Sequence, residues 1–160
     1  MDNDSPSRRQ LDYLTGLPTR AALTEDFERG AFDASHVAYI DLNTFGSLNQ
    51  ELGNDAGDSA LAVIGGRCRA VPADDGVVYR IGGDEFALVA RGTGARVAET
   101  LNHLLGQIKL PIPSVDNRCV TATAGVVEIL GDEDWRSAYH RAHLQFSAQR
   151  LLGTDRFNVL

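Results

Sequence analysis

Short apolar runs alternate with stretches of helical period along this chain. His36–Leu42 reads as a buried strand whose end carries an acid, Asp41. Two more β-rich runs, at 77–81 and 85–90, flank Gly82-Gly83. They read as a hairpin, because glycine accepts the positive φ that a tight turn needs. A fourth run covers 119–129, with Gly125 in its middle. A mid-strand glycine suggests a bulge or a close backbone approach. Helical stretches lie between these runs. The first covers 21–29, opened by Pro18 or Thr19 and ended by Gly30. Asp58 is placed to cap a second at 59–70, Gly53 and Gly57 bracketing the loop before it. An amphipathic third covers 95–107, and a last one, 132–152, is ended by Gly153. On that last helix Trp135, Tyr139, Leu144 and Phe146 are available for the core, and 157–160 reads as a final short strand. The alternation gives an α/β or α+β domain.

Composition narrows the class. The 160 residues are one ordinary domain with room for a core, and 43% apolar with 23% charged residues is the balance of a soluble globular protein. A formal net charge of −7 argues against a non-specific nucleic-acid or anionic-membrane surface, though not against a nucleotide site served by local cations or a metal. Cys68 and Cys119 form no CxxC pair, which argues against a disulfide framework or a zinc site and fits a reducing, cytoplasmic setting. No apolar run reaches the roughly 18 residues of a membrane span, and no signal peptide is visible. Residues 1–11 read as a polar linker and 12–160 as the domain. His140 and His143 lie three apart on one helix but show no third ligand nearby, and Gly92-x-Gly94 lacks the third glycine of a dinucleotide loop.

The chemistry concentrates at two strand ends. Asp84 and Glu85 follow the glycine turn directly, and like charges that close call for a cation, usually a metal ion. Asp41 ends a strand just before a helix that Asn43 can cap and that begins near Thr44-Phe45-Gly46. An acid beside a helix N-terminus can hold Mg²⁺ while free N–H groups hold phosphate oxygens. Downstream, Asn49 and Asp58 can read guanine together, the carboxylate accepting from N1–H and N2–H₂ and the amide donating. Each feature alone has a plainer reading: acids facing water, a capped helix, a loop asparagine.

Taken in order, these residues resemble a known family. Gly82-Gly83-Asp84-Glu85-Phe86 spells the signature of the GGDEF family, the diguanylate cyclases. Asp12-x-Leu14-Thr15-Gly16-Leu17-Pro18-Thr19-Arg20 resembles the segment that opens such domains, with Thr19 where Asn is usual. The likeness runs from about Asp12 to Phe157. It implies a palm-like core, an antiparallel-rich sheet flanked by helices, and a reaction joining two GTP molecules into cyclic di-GMP with release of pyrophosphate. By the match, Asp41, the Leu42 carbonyl and Asp84 would bind Mg²⁺ or Mn²⁺, and Glu85 would assist at the metal or the reacting hydroxyl. The amides of Thr44, Phe45 and Gly46 would cradle phosphate, Asn49 and Asp58 would read guanine, and Gly82 and Gly83 would let phosphates approach the hairpin. Each domain resembles half a site, so a second GGDEF domain would face it, and a fused sensor or phosphodiesterase domain is a further expected partner.

Several positions depart from the family pattern. Asp-x-Asp is here Asp41-Leu42-Asn43, Phe-Lys is Phe45-Gly46, Asn-Asp is Asn49-Gln50 and Gly-His is Gly53-Asn54. Near the C-terminus, where the family has Ala-Lys-x-x-Gly-Arg-Asn, Arg150 stands for the lysine and Thr154 replaces the arginine. The family's inhibitory Arg-x-x-Asp is Ala73-Asp74-Asp75-Gly76, which lacks both charged ends. The lost cations keep a second reading alive: a GTP-binding module that regulates a neighbouring domain without turnover.

Overall fold

The structure is a computed structural model and describes residues 10–31 and 33–157. The strands are β1 (His36–Leu42), β2 (Gly76–Arg80), β3 (Glu85–Ala90) and β4 (Ala122–Glu128). They form one sheet in the order β2-β3-β1-β4, with all neighbours antiparallel. The helices are α1 (Arg20–Glu28), α2 (Phe45–Leu52), α3 (Asn54–Arg69), α4 (Gly94–Ile108) and α5 (Trp135–Leu152). Among the described residues, no helix is long and apolar enough to cross a membrane.

Strand periodicity splits the interior into two cores. Alternate side chains of a strand point to opposite faces, so Ala38, Ile40 and Leu42 of β1 join Phe86 and Leu88 of β3 beneath α2, α3 and α4. On the other face Val37, Tyr39, Ala87 and Val89 pack with Leu23 of α1 and with Trp135, Ala142 and Phe146 of α5. Strands buried on both faces need continuous apolar runs, which is why β1 and β3 read so clearly in the sequence.

Thr19 caps α1, accepting from the Ala22 N–H at 3.4 Å, and Thr93 caps α4 through the Arg96 N–H at 3.3 Å. Gly125 is the predicted close approach: a Cβ there would overlap the Ala142 carbonyl and lie 2.8 Å from the Phe146 Cα. The absent side chain lets α5 lie directly on β4.

Some expectations are corrected. Helix α3 starts at Asn54, after Gly53 at φ 88°, so Gly57 and Asp58 are helical and Asp58 caps nothing. Asn43 does not cap α2; the cap position is Thr44, with no side-chain bond to the helix. The hairpin glycines, Gly82 and Gly83, do not have positive φ; the longer connection at 81–84 needs none. Leu144 points outward, 57% exposed, because α5 turns it away from the sheet. Residues 1–9 of the expected linker, and all but Phe157 of the expected last strand, lie outside the described residues. The Arg156 carbonyl nevertheless accepts from the Ala124 N–H at 3.0 Å.

Overpacking a buried backbone contact costs about 1–3 kcal/mol and sometimes more. Gly125→Ala is therefore expected to destabilise the domain by about 3 kcal/mol, seen as a lower urea midpoint with an unchanged slope. An unchanged midpoint would show that α5 is free to move off the sheet.

Candidate active site

The antiparallel pairing of β1 with β3 sets Asp41 directly opposite Glu85. The Leu42 N–H donates to the Asp84 carbonyl at 3.1 Å, which extends the ladder into the turn. Three acids separated by more than forty positions thus meet at one sheet end. Asp41 and Glu85 share the face covered by α1 and α5, one step beyond Tyr39 and Ala87.

Burial pushes the Asp41 carboxyl up to about 6, and the negative charge of Asp84 adds to the rise. The Arg150 charge and the Tyr39 hydroxyl pull the other way without cancelling it. The Tyr39 hydroxyl donates to Glu85 Oε1 and lies 3.3 Å from Asp41 Oδ2. Burial, then its bond to Glu85, keeps this phenol protonated. The charged form of Asp41 is thus disfavoured by burial and by Asp84, a condition that a bound cation would relieve.

A second fixture holds the hairpin tip. Arg80 donates from its Nη1 to both Asp12 carboxylate oxygens, at 3.0 and 2.9 Å. Its Nε donates to the Gly82 carbonyl at 3.1 Å and its Nη2 to the Gly83 carbonyl at 2.9 Å. Burial opposes ionisation of Asp12, but hydrogen bonds from Thr15 and Arg80 outweigh it and hold the carboxyl below its ordinary value. The glycines also leave room: a Cβ at Gly82 would sit 2.6 Å from Glu85 Oε2, and one at Gly83 would meet nothing within 4 Å.

The segment after Asp41 turns sharply. Thr44 sits at φ 58°, a left-handed conformation that a β-branched residue rarely adopts. It launches α2 with the Phe45 and Gly46 amides making no hydrogen bond among the described residues. Asn43 is engaged by the β4 side, bonding Thr123, the residue paired opposite Asp41, as well as Thr121. It is 3% exposed, donating from Nδ2 to Thr121 Oγ1 at 2.9 Å and accepting from Thr123 Oγ1 at 3.0 Å. A carboxylate here would be a buried charge that could not donate, so asparagine suits this place.

The Asn49 side chain packs on Gly57, the residue before Asp58. A Cβ on Gly57 would overlap the Asn49 side-chain amide, so α2 packs closely on α3 beside exposed Asp58. Of the two candidate replacement cations, Arg150 acts on Asp41, its guanidinium also lying 5.7 Å from the Phe146 ring centre. Arg156 instead donates to the Leu152 carbonyl at 2.8 Å, at the end of α5. Among the described residues, no three or more histidine, cysteine or acidic side chains are grouped so as to hold a metal ion by themselves, neither around His140 and His143 nor at the three acids.

With this geometry in place, the comparisons are decisive about family. Residues 9–156 match the family described as diguanylate cyclase, GGDEF domain. The chain is a GGDEF domain. It is 35% identical to the cyclic di-GMP phosphodiesterase NbdA of Pseudomonas aeruginosa over 79% of this chain and 17% of that protein. It is 32% identical to the diguanylate cyclase DgcP of Escherichia coli over 83% of this chain and 42% of the relative. The chain therefore spans less than half the length of these curated relatives. The GGDEF domain of TpbB (YfiN) from Pseudomonas aeruginosa superposes with a TM-score of 0.80 at 25% identity, covering 94% of each chain. The diguanylate cyclase SiaD of the same organism, solved with its activator SiaC, gives 0.83 at 26% identity over 94% of this chain and 61% of that one. The palm-like, antiparallel sheet expected from the signature is the sheet observed.

Tyr39 and the Asp12–Arg80 pair carry site geometry that motif reading did not assign. A period of two from Asp41 puts Tyr39 on the same face, which was the available signal. Arg80 adjoins the signature, but its partner lies 68 positions away and only folding reveals it.

The raised Asp41 carboxyl gives a signed expectation. A carboxyl whose folded value lies above its unfolded one binds more protons when folded. Asp41 therefore costs stability once ionised: stability falls as pH rises from about 4 through about 6. Without divalent cations, Asp41→Asn should melt a few degrees higher than the unaltered chain at pH 7.5 and converge with it below pH 4 (about the unfolded carboxyl value). Thermal melts across that range test it, and a lower melting temperature for the variant at pH 7.5 would show that the carboxylate is compensated.

Proposed function

We propose that this domain supplies half of a diguanylate cyclase site, joining two GTP molecules into cyclic di-GMP with release of pyrophosphate. The observation that carries this reading is the convergence of Asp41, Asp84 and Glu85 at adjoining strand ends, where Asp84 and burial together raise the Asp41 carboxyl. The donor set fits a hard divalent cation. Mg²⁺ is commonly held by one or two carboxylates plus substrate phosphates rather than by an all-protein cage. Asp41, Asp84 and the Leu42 carbonyl would hold Mg²⁺ or Mn²⁺. When bound, the ion supplies charge neutralisation for the phosphate oxygens.

The remaining roles fall to the chain's own groups. Asp58 accepts from the guanine N1–H and N2–H₂ while Asn49 donates to its acceptors. The free amides of Phe45 and Gly46, with that of Thr44, hold phosphate oxygens at the start of α2. Gly82 and Gly83 allow close backbone approach, and Arg80 holds their carbonyls still. Glu85, oriented by Tyr39, assists at the metal or at the attacking 3′-hydroxyl. That hydroxyl belongs to the GTP of a second, facing domain and attacks the α-phosphorus in line, expelling pyrophosphate. Arg150 replaces one missing phosphate cation, and the amide at Asn43 is taken up by Thr121 and Thr123.

A second reading has its own observation. Gly46 and Thr154 carry no charge, and Arg156 is occupied at the end of α5. A GTP-binding module without turnover, acting on a fused or separate partner, fits that deficit, and two relatives are named cyclic di-GMP phosphodiesterases.

Two measurements on one sample separate these readings: GTP binding, and cyclic di-GMP formation at high protein concentration with Mg²⁺ and then Mn²⁺. Product is expected, and Asp84→Ala should abolish it; persistent turnover would remove Asp84 from the metal. Asp58→Ala should weaken GTP binding about tenfold, the size of one charged hydrogen-bond set. Because Asp58 lies exposed within α3, that change should leave the melting temperature nearly unaltered. GTP binding without product would favour the regulatory reading.

A further inference from the structure

A cavity of about 280 Å³ opens between α1, α5 and the sheet, with Glu85 in its lining. Its lining is unusual for a chain of net charge −7. Arg20, Arg136, His140 and His143 all border it, while Glu85 is its one acid. Glu85 is already occupied by the Tyr39 hydroxyl. Arg136 has one loose counter-charge, Asp134 at 3.7 Å, with both side chains about half exposed.

The walls are largely aromatic. Tyr39, Trp135 and Tyr139 form them, with ring centres of Tyr39 and Tyr139 5.3 Å apart and those of Trp135 and Tyr139 5.9 Å apart. Trp135 is 2% exposed, and its indole Nε1–H has no hydrogen-bond partner; the buried Tyr139 hydroxyl has none either. A buried donor left unpaired costs about 1–3 kcal/mol, and native structures keep few of them. Both donors belong to residues of the cavity wall, although the atoms themselves are buried, and two guanidiniums lie 5.9 and 5.0 Å from the indole centre.

We propose that this cavity is a second ligand site, separate from the proposed guanine and phosphate positions, for a small oxyanion carried on an aromatic body. The oxyanion would pair with Arg20 and Arg136 beside the two imidazoles, while the aromatic body would lie against the tyrosine rings. Arg20 and Arg136 are exposed, so they can swing outward to admit the anion and close over it. A bound anion would lie beside Glu85, the residue that ends β3's contact with Asp41. The site does not depend on GTP chemistry, so it stands or falls separately from the cyclase reading.

The chain contains one tryptophan, so its indole N–H resonance reports on this cavity alone. Phenyl phosphate is the probe, since it has the oxyanion and the ring but no guanine. Titrated to about 10 mM into the ¹⁵N-labelled protein, it should shift the Trp135 indole resonance saturably, whereas inorganic phosphate should shift it much less. Arg136→Ala combined with His140→Ala alters only exposed side chains, so the fold should persist by circular dichroism. That variant should weaken the phenyl phosphate midpoint about tenfold or more, while Asp58→Ala should leave it unchanged. No saturable shift, an equal response to inorganic phosphate, or an unchanged midpoint in the folded double variant would overturn the proposal.

Discussion

The pairing of β1 with β3 is the constraint on which the site depends. One register places Asp41 opposite Glu85, and a slip of one residue would turn every side chain of the strand to the other face. The register is therefore held by both cores at once. Ile40 and Phe86 commit one face, Tyr39 and Ala87 the other, and all are buried. Packing thus supplies the restoring force that keeps three carboxyl groups near one another against their own repulsion. The acids are placed by residues that have no part in their chemistry.

The site draws on both sides of the sheet. Asp41 and Glu85 belong to the face of α1 and α5, whereas the start of α2 and the Asn49–Gly57 contact belong to the opposite layer. The crossing between layers is made in three residues. Leu42 faces one core, Asn43 is tied to Thr121 and Thr123 of the β4 side, and Thr44 takes a left-handed conformation to start the helix. Asn43 shows how a departure from a family pattern can be locally consistent. Its amide donates to one threonine and accepts from another, which a carboxylate could not do.

The strands were legible because they are buried on both faces. His36–Leu42 and Glu85–Ala90 fall where their apolar runs place them. The chemistry-bearing motif was legible because its residues are contiguous, and the family it signals is the family found. Legibility failed where the cause is non-local. Asp58 resembles a helix cap in sequence, but Gly53 reverses the chain earlier and α3 absorbs it. The glycine turn suggested positive φ, but a longer connection relieved that need. Tyr39's bond to Glu85 and Arg80's bond to Asp12 span 46 and 68 positions, and no local pattern announces either.

Arg80 is a mechanical coupler. Its guanidinium grips the Asp12 carboxylate with one arm and two carbonyls of the hairpin tip with the others. Backbone pairing reinforces the link, since the Arg80 N–H donates to the Pro18 carbonyl at 2.9 Å. The chain's point of entry and the tip of its signature hairpin are therefore one rigid body, although they lie far apart in sequence. Torque applied to the segment leading into Asp12 would reach Gly82 and Gly83 through a single planar group, with little slack to dissipate it.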